Sequence, residues 1–160
     1  MPLPQTLALV EEIAELRRLY EIGTPRQRLS IALKRINSPE ANASDLVTRV
    51  SAVEAFARCI LAHTSTSTHE QVHLKYRKYA KREATSLVEG YLKLHAKTPQ
   101  STFGDEIWEL FRLAVSTRNL IVHECTFLDA QKYLPMAHAC TEVLLELSKI
   151  SRTRTPKSAA

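Results

Sequence analysis

Apolar side chains recur every three to four positions along almost the whole chain, and nowhere do they alternate with the period of two that a strand needs. Leu7, Val10, Ile13, Ala14, Leu16 and Tyr20 form the first stripe, and Gly23-Thr24-Pro25 then supplies a stop, a cap and a first-turn proline. A second, shorter helix carries Leu29, Ala32, Leu33 and Ile36 and must end before Pro39, because the residue preceding a proline is pushed out of helical backbone. Ser44 is expected to cap a long helix with Leu46, Val50, Val53, Ala57, Ile60 and Leu61 on one face, running to about His63. The tract Thr64-Ser65-Thr66-Ser67-Thr68 reads as a loop whose last threonine caps the next helix. That helix is expected from about His69 to Ala96, with Val72, Tyr76, Tyr79, Leu87, Tyr91 and Leu94 as its stripe. Thr98-Pro99-Gln100-Ser101 turns the chain. Periodicity resumes with Ile107, Leu110, Phe111, Ala114, Ile121, Cys125 and Leu128, and a last segment carries Tyr133, Met136, Cys140, Val143, Leu144 and Leu147. The pattern predicts an all-α fold, an up-and-down bundle of five to six helices.

A chain of 160 residues, 44% hydrophobic, buries a sizeable core in one domain. That domain is expected over residues 1–150, with a core of about 42–150, the N-terminal helices 4–37 packed on it, and a basic, disordered tail at 151–160. Cys59, Cys125 and Cys140 are odd in number and widely spaced, which suits a reducing cytoplasm better than a disulfide framework. The N-terminus meets acidic residues too early for a secretory signal, and no apolar run reaches membrane-spanning length.

The net charge of +5 is unevenly spread. His73 to Lys97 carries Lys75, Arg77, Lys78, Lys81, Arg82, Lys93 and Lys97 against Glu83 and Glu89, and the tail adds Arg152, Arg154 and Lys157. These segments attract phosphate, and Lys75, Lys78, Lys81 and Arg82 are the candidate RNA contacts; a solvated helix face is the competing reading. Asp105 to Glu146 holds seven acids, so the chain is not a uniformly basic coat.

His69-Glu70-Gln71-Val72-His73 matches His-Glu-x-x-His, in which two imidazoles one turn apart bind zinc and the glutamate activates water. The match begins a helix directly after a Ser/Thr loop, with no Gly-x-x-His extension and no strand to align a peptide. Neither a metal site nor a cofactor is expected.

Arg118-Asn119-Leu120-Ile121-Val122-His123 brings together an arginine, an amide and an imidazole, groups that hold a phosphodiester and move its protons. Spacing alone does not distinguish this from chance. On an unbroken helix, about 100° of rotation per residue puts Arg118 inside the apolar stripe between Ala114 and Ile121, where a guanidinium needs a partner. His123 then lies about 140° away, while Asn119 and His123 share a face. Either the helix ends or bends between them, or a second copy completes the site across a two-fold axis.

Arg118-Asn119-x-x-x-His123, preceded by Trp108 to Val115 and followed by a closing amphipathic helix, resembles the HEPN domain superfamily. So does Ser51-Ala52-Val53-Glu54-Ala55-Phe56-Ala57-Arg58, whose acidic residue sits among small and apolar ones. The resemblance covers about 42–150. It implies an all-α bundle that dimerises through the motif helix, with a toxin or defence setting and an antitoxin or nucleotidyltransferase-like protein as partner. In many members it implies a metal-independent endoribonuclease that leaves a 2′,3′-cyclic phosphate. Carried over, His123 is general base or acid, Arg118 binds the scissile phosphate, and Asn119 positions phosphate or imidazole. Glu54 is a supporting residue.

The alternative is a non-catalytic interaction module in which Arg118 and Glu54 form an interior ion pair and Asn119 and His123 are satisfied polar groups. A pair of that kind buried inside one subunit, with His123 remote, would be the ground for abandoning catalysis. A helical DNA-binding regulator lacks a recognition helix pair. His63 and His95 fall near helix ends, His138 reads as a core or interface residue, and Tyr76, Tyr79, Tyr91 and Trp108 read as core. Cys125 has no base positioned to activate it.

Overall fold

The computed structural model describes residues 14, 15, 18, 21–36, 43–124 and 130–154. These residues are all-helical apart from turns and links, with no strand among them. Among the described residues the helices from Pro25 onward are, in order, α1 (Pro25–Ile36), α2 (Ala43–His63), α3 (His69–Tyr79), α4 (Ala84–Leu94), α5 (Pro99–Phe103), α6 (Asp105–Glu124) and α7 (Ala130–Ile150). No helix among the described residues is long and apolar enough to cross a membrane. Most of the expected first stripe, and Cys125 and Leu128, lie outside the described residues.

α2 is the axis of the molecule and packs against α1, α3, α4, α6 and α7. Its Leu46, Val50, Val53, Phe56, Ala57, Ile60 and Leu61 are buried on nearly all sides, so polar residues are admitted only where they find partners. Around it lie Leu29 of α1, Leu87 and Leu92 of α4, Phe111 and Ala114 of α6, and Val143, Leu144 and Leu147 of α7. Trp108 is also core, its ring stacked on Phe103 at 5.8 Å and tilted against Phe111 at 5.5 Å between centroids.

Local chemistry sets most boundaries. Thr24 caps α1, its hydroxyl accepting the Gln27 N–H at 3.3 Å while the Gln27 side chain accepts the Thr24 N–H at 2.8 Å. Thr68 opens α3 through the same reciprocal box with Gln71. α2 begins at Ala43, one residue before the expected cap, so Ser44 sits exposed inside its first turn.

The helix expected over His69 to Ala96 is two helices. Arg77 and Lys81, and Lys78 and Arg82, would face each other one turn apart in an unbroken helix, a like-charge repulsion that disfavours its continuation. The break also lets α3 and α4 each lie against α2. Thr98-Pro99-Gln100-Ser101, expected as a turn, opens the single-turn helix α5, capped by Thr98 with Ser101. Gly104 closes it at φ +84°, a backbone conformation glycine tolerates. Past α7 the described residues run to Arg154. Arg152 at φ +54° ends α7, with the Thr153 N–H bonded to the Ser148 carbonyl at 2.9 Å and the Arg152 N–H to that of Lys149 at 3.0 Å. Residues 155–160 lie outside the described residues.

Candidate functional site

Glu54 and Arg58 stand one turn apart on α2, on the side that meets α6 and the end of α3. Arg118 reaches across from α6, its Nη1 donating to Glu54 Oε2 at 2.9 Å, while Arg58 Nη2 lies 3.4 Å from Glu54 Oε1. One carboxylate thus holds two guanidiniums. Arg118 Nε also donates to Asn119 Oδ1 at 2.9 Å. Arg58 is fixed from a third direction, its Nε donating to the Tyr79 carbonyl at 3.3 Å and its guanidinium lying 5.6 Å from the centre of the Tyr76 ring. The Tyr79 carbonyl is at the negative end of α3, a favourable place for a cation.

The cluster is closely but not completely enclosed: the side chains of Glu54, Arg58 and Arg118 retain 19%, 14% and 15% of their exposure. It solves the problem posed by an arginine in an apolar stripe, because charges shielded from water persist when each finds an opposite charge and directed hydrogen bonds. Asn119 lines a largely polar, open cavity of about 300 Å³ between α4 and α6, shared with Glu83, Thr85, Glu109, Arg112, Leu113, Val115 and Ser116.

The expected residues therefore divide. Glu54, Arg118 and Asn119 come together in one chain; His123 does not join them. α6 runs without interruption through the motif to Glu124, so the helix does not end between Arg118 and His123. The helical rotation carries His123 to an exposed face, where it makes no hydrogen bond or ion pair among the described residues. Asn119 bonds Arg118 instead of the imidazole four residues on.

Of the candidate RNA contacts, Lys78, Lys81 and Arg82 are exposed at the α3–α4 turn. Lys75 is half-buried, its ammonium donating to the Thr64 carbonyl. Arg58 was not among the candidates, although its position four residues after Glu54 is the spacing of a helical ion pair.

Several other titratable groups have structural work. His73 Nδ1 lies 2.7 Å from Glu21 Oε2, tying α3 to the segment before α1, so this imidazole of the His-Glu-x-x-His match already has a carboxylate partner. His63 Nδ1 lies 2.9 Å from the Cys59 carbonyl, an acceptor, which makes that nitrogen the protonated one. The Cys59 thiol donates to the Gly23 carbonyl at 3.2 Å, and burial pushes it up to about 12. Burial likewise raises Cys140 to about 12, so neither thiol is a nucleophile near neutral pH. His138, expected in a core or interface, is exposed and lies 3.8 Å from Glu142. No family model, curated protein or solved structure matches this chain.

Proposed function

We propose that this chain is a HEPN-like helical interaction module, built as an up-and-down bundle, that works as a homodimer joined along α6. Arg118, Asn119 and Glu54 form its internal polar brace. The observation that carries this reading is the outer face of α6. Leu113, Ser116, Leu120 and His123 follow at intervals of three, four and three residues, all exposed, with Leu113 at 49% and Leu120 at 52%. Leucines seven residues apart recur on one face every two turns, the spacing by which paired helices interlock. A two-fold axis would set this face against its own copy, with both His123 side chains along the seam and both Arg118 side chains held against α2. An antitoxin-like or nucleotidyltransferase-like protein is the partner class for the assembled dimer.

A second reading, a metal-independent endoribonuclease active only as the dimer, is favoured by Asn119. It bonds Arg118 and also lines the polar cavity beside α4, so the cluster is one residue from solvent. In that reading His123 moves the proton of the ribose 2′-hydroxyl or the leaving oxygen, Arg118 holds the scissile phosphate, and the product is a 2′,3′-cyclic phosphate. Glu54 then shares Arg118 with the phosphate.

Incubation of the full chain with single-stranded RNA in excess chelator decides between the two. The interaction module leaves the RNA intact. Cleavage by the wild type that disappears in His123→Ala, with helical content unchanged, would overturn that reading in favour of the nuclease.

A further inference from the structure

Many cations among the described residues are matched to a carboxylate: Arg49 to Asp45, Arg112 to Glu109, Lys149 to Glu146, and both Arg58 and Arg118 to Glu54. Around the α3–α4 turn the matching stops. Arg77, Lys78, Lys81 and Arg82 stand exposed within six residues, and among the described residues none of them forms an ion pair. Glu83, the next residue in the chain, is exposed and pairs with none of them.

Two of these cations are held in place. Lys78 Nζ lies 5.9 Å and Arg82 Cζ 5.1 Å from the centre of the half-buried Tyr79 ring. The positive surface also continues inward, since the Tyr79 carbonyl accepts from Arg58, which shares Glu54 with Arg118. Two guanidiniums against one carboxylate leave that inner cluster positive as well.

We infer that the α3–α4 turn is a binding site for the phosphate backbone of a nucleic acid, with Lys78, Lys81 and Arg82 as its phosphate contacts. Mutual repulsion among closely spaced cations is relieved by an external polyanion, and counterion release makes such contacts favourable at low salt. Lysine is depleted from the cores of protein interfaces and well suited to phosphate as a compact charge, so a nucleic-acid strand fits this turn better than an acidic protein. The site requires neither the α6 dimer nor cleavage.

The test is binding of the full chain to a labelled 2′-O-methyl oligoribonucleotide, which lacks the 2′-hydroxyl nucleophile, and to DNA of the same sequence. The variant Lys81→Ala with Arg82→Ala is compared with Lys93→Ala and Lys97→Ala, which removes the same charge from exposed positions on and after the end of α4. The first pair is expected to weaken binding about tenfold and to lower the salt slope by about 1.4, the second to change affinity less than about twofold. Preference for one strand identifies RNA or DNA as the source of the phosphate. Equal loss in both variants, with helical content retained, would reduce the effect to net charge and overturn the site; so would a wild type that binds neither strand. Binding of the methylated strand without cleavage of unmodified RNA would leave this site standing and count against the nuclease.

Discussion

Glu54 is the residue on which the interior of the motif depends, because both Arg58 and Arg118 contact its carboxylate. Replacing it with alanine strands two partly enclosed guanidiniums, and Glu54→Ala is expected to cost about 2 kcal/mol, with Glu54→Gln costing about half as much because an acceptor remains. A denaturant titration of Glu54→Ala, Arg118→Ala and the double variant should give a coupling of about 1–2 kcal/mol; additive losses would mean that the contact carries no energy. The cysteines make a second prediction. Folded Cys59 and Cys140 titrate near 12 against an ordinary 9.0, so below pH 9 their stabilisation is fully present. Above that the unfolded chain releases protons that the folded one keeps, and stability falls as pH rises toward 12. Denaturation midpoints across that interval check the sign, and a midpoint that rises with pH would contradict it. The need of Arg118 for a partner was legible from its place in the apolar stripe, and Glu54 was legible as that partner. The role of Arg58 depends on a backbone carbonyl and a tyrosine from another helix, contacts that no single-helix pattern contains.

Among the elements, those with strong periodicity and side-chain caps were readable in advance. α1 begins at Pro25 after Thr24, and α3 at His69 after Thr68, as their residues require. The misreadings fall where tertiary packing decides. One stripe ran from Val72 to Leu94, yet α3 and α4 are separate because both cover α2 and because the cations at 77–82 resist a continuous turn. α5 is too short for periodicity to register, so its first residues, Thr98-Pro99-Gln100-Ser101, read as a turn although they also form a helix cap. Thr98→Ala removes the acceptor of the Ser101 N–H and the Thr98 hydroxyl's own bond to Ser101, and is expected to cost about 1 kcal/mol, read as a lowered Tm. An unchanged Tm would mean that packing of Phe103 on Trp108 holds α5 unaided.

For the whole molecule, the straight course of α6 matters more than the motif letters. Within one chain it directs Arg118 to Glu54 and His123 to solvent, so the two cannot act on one ligand without a second copy. The helical class was legible because 44% of the residues are hydrophobic and fall at helical intervals. The division of the motif between an interior brace and an outer face was half legible, since the wheel gave the angle but not which side α2 would occupy. Association rests on the outer face of α6, and the mass of the chain in solution tests it directly. Wild type should sediment as a dimer, and Leu113→Glu with Leu120→Glu as a monomer of unchanged helical content. A wild-type monomer, or a charged variant that remains dimeric, would contradict association through this face.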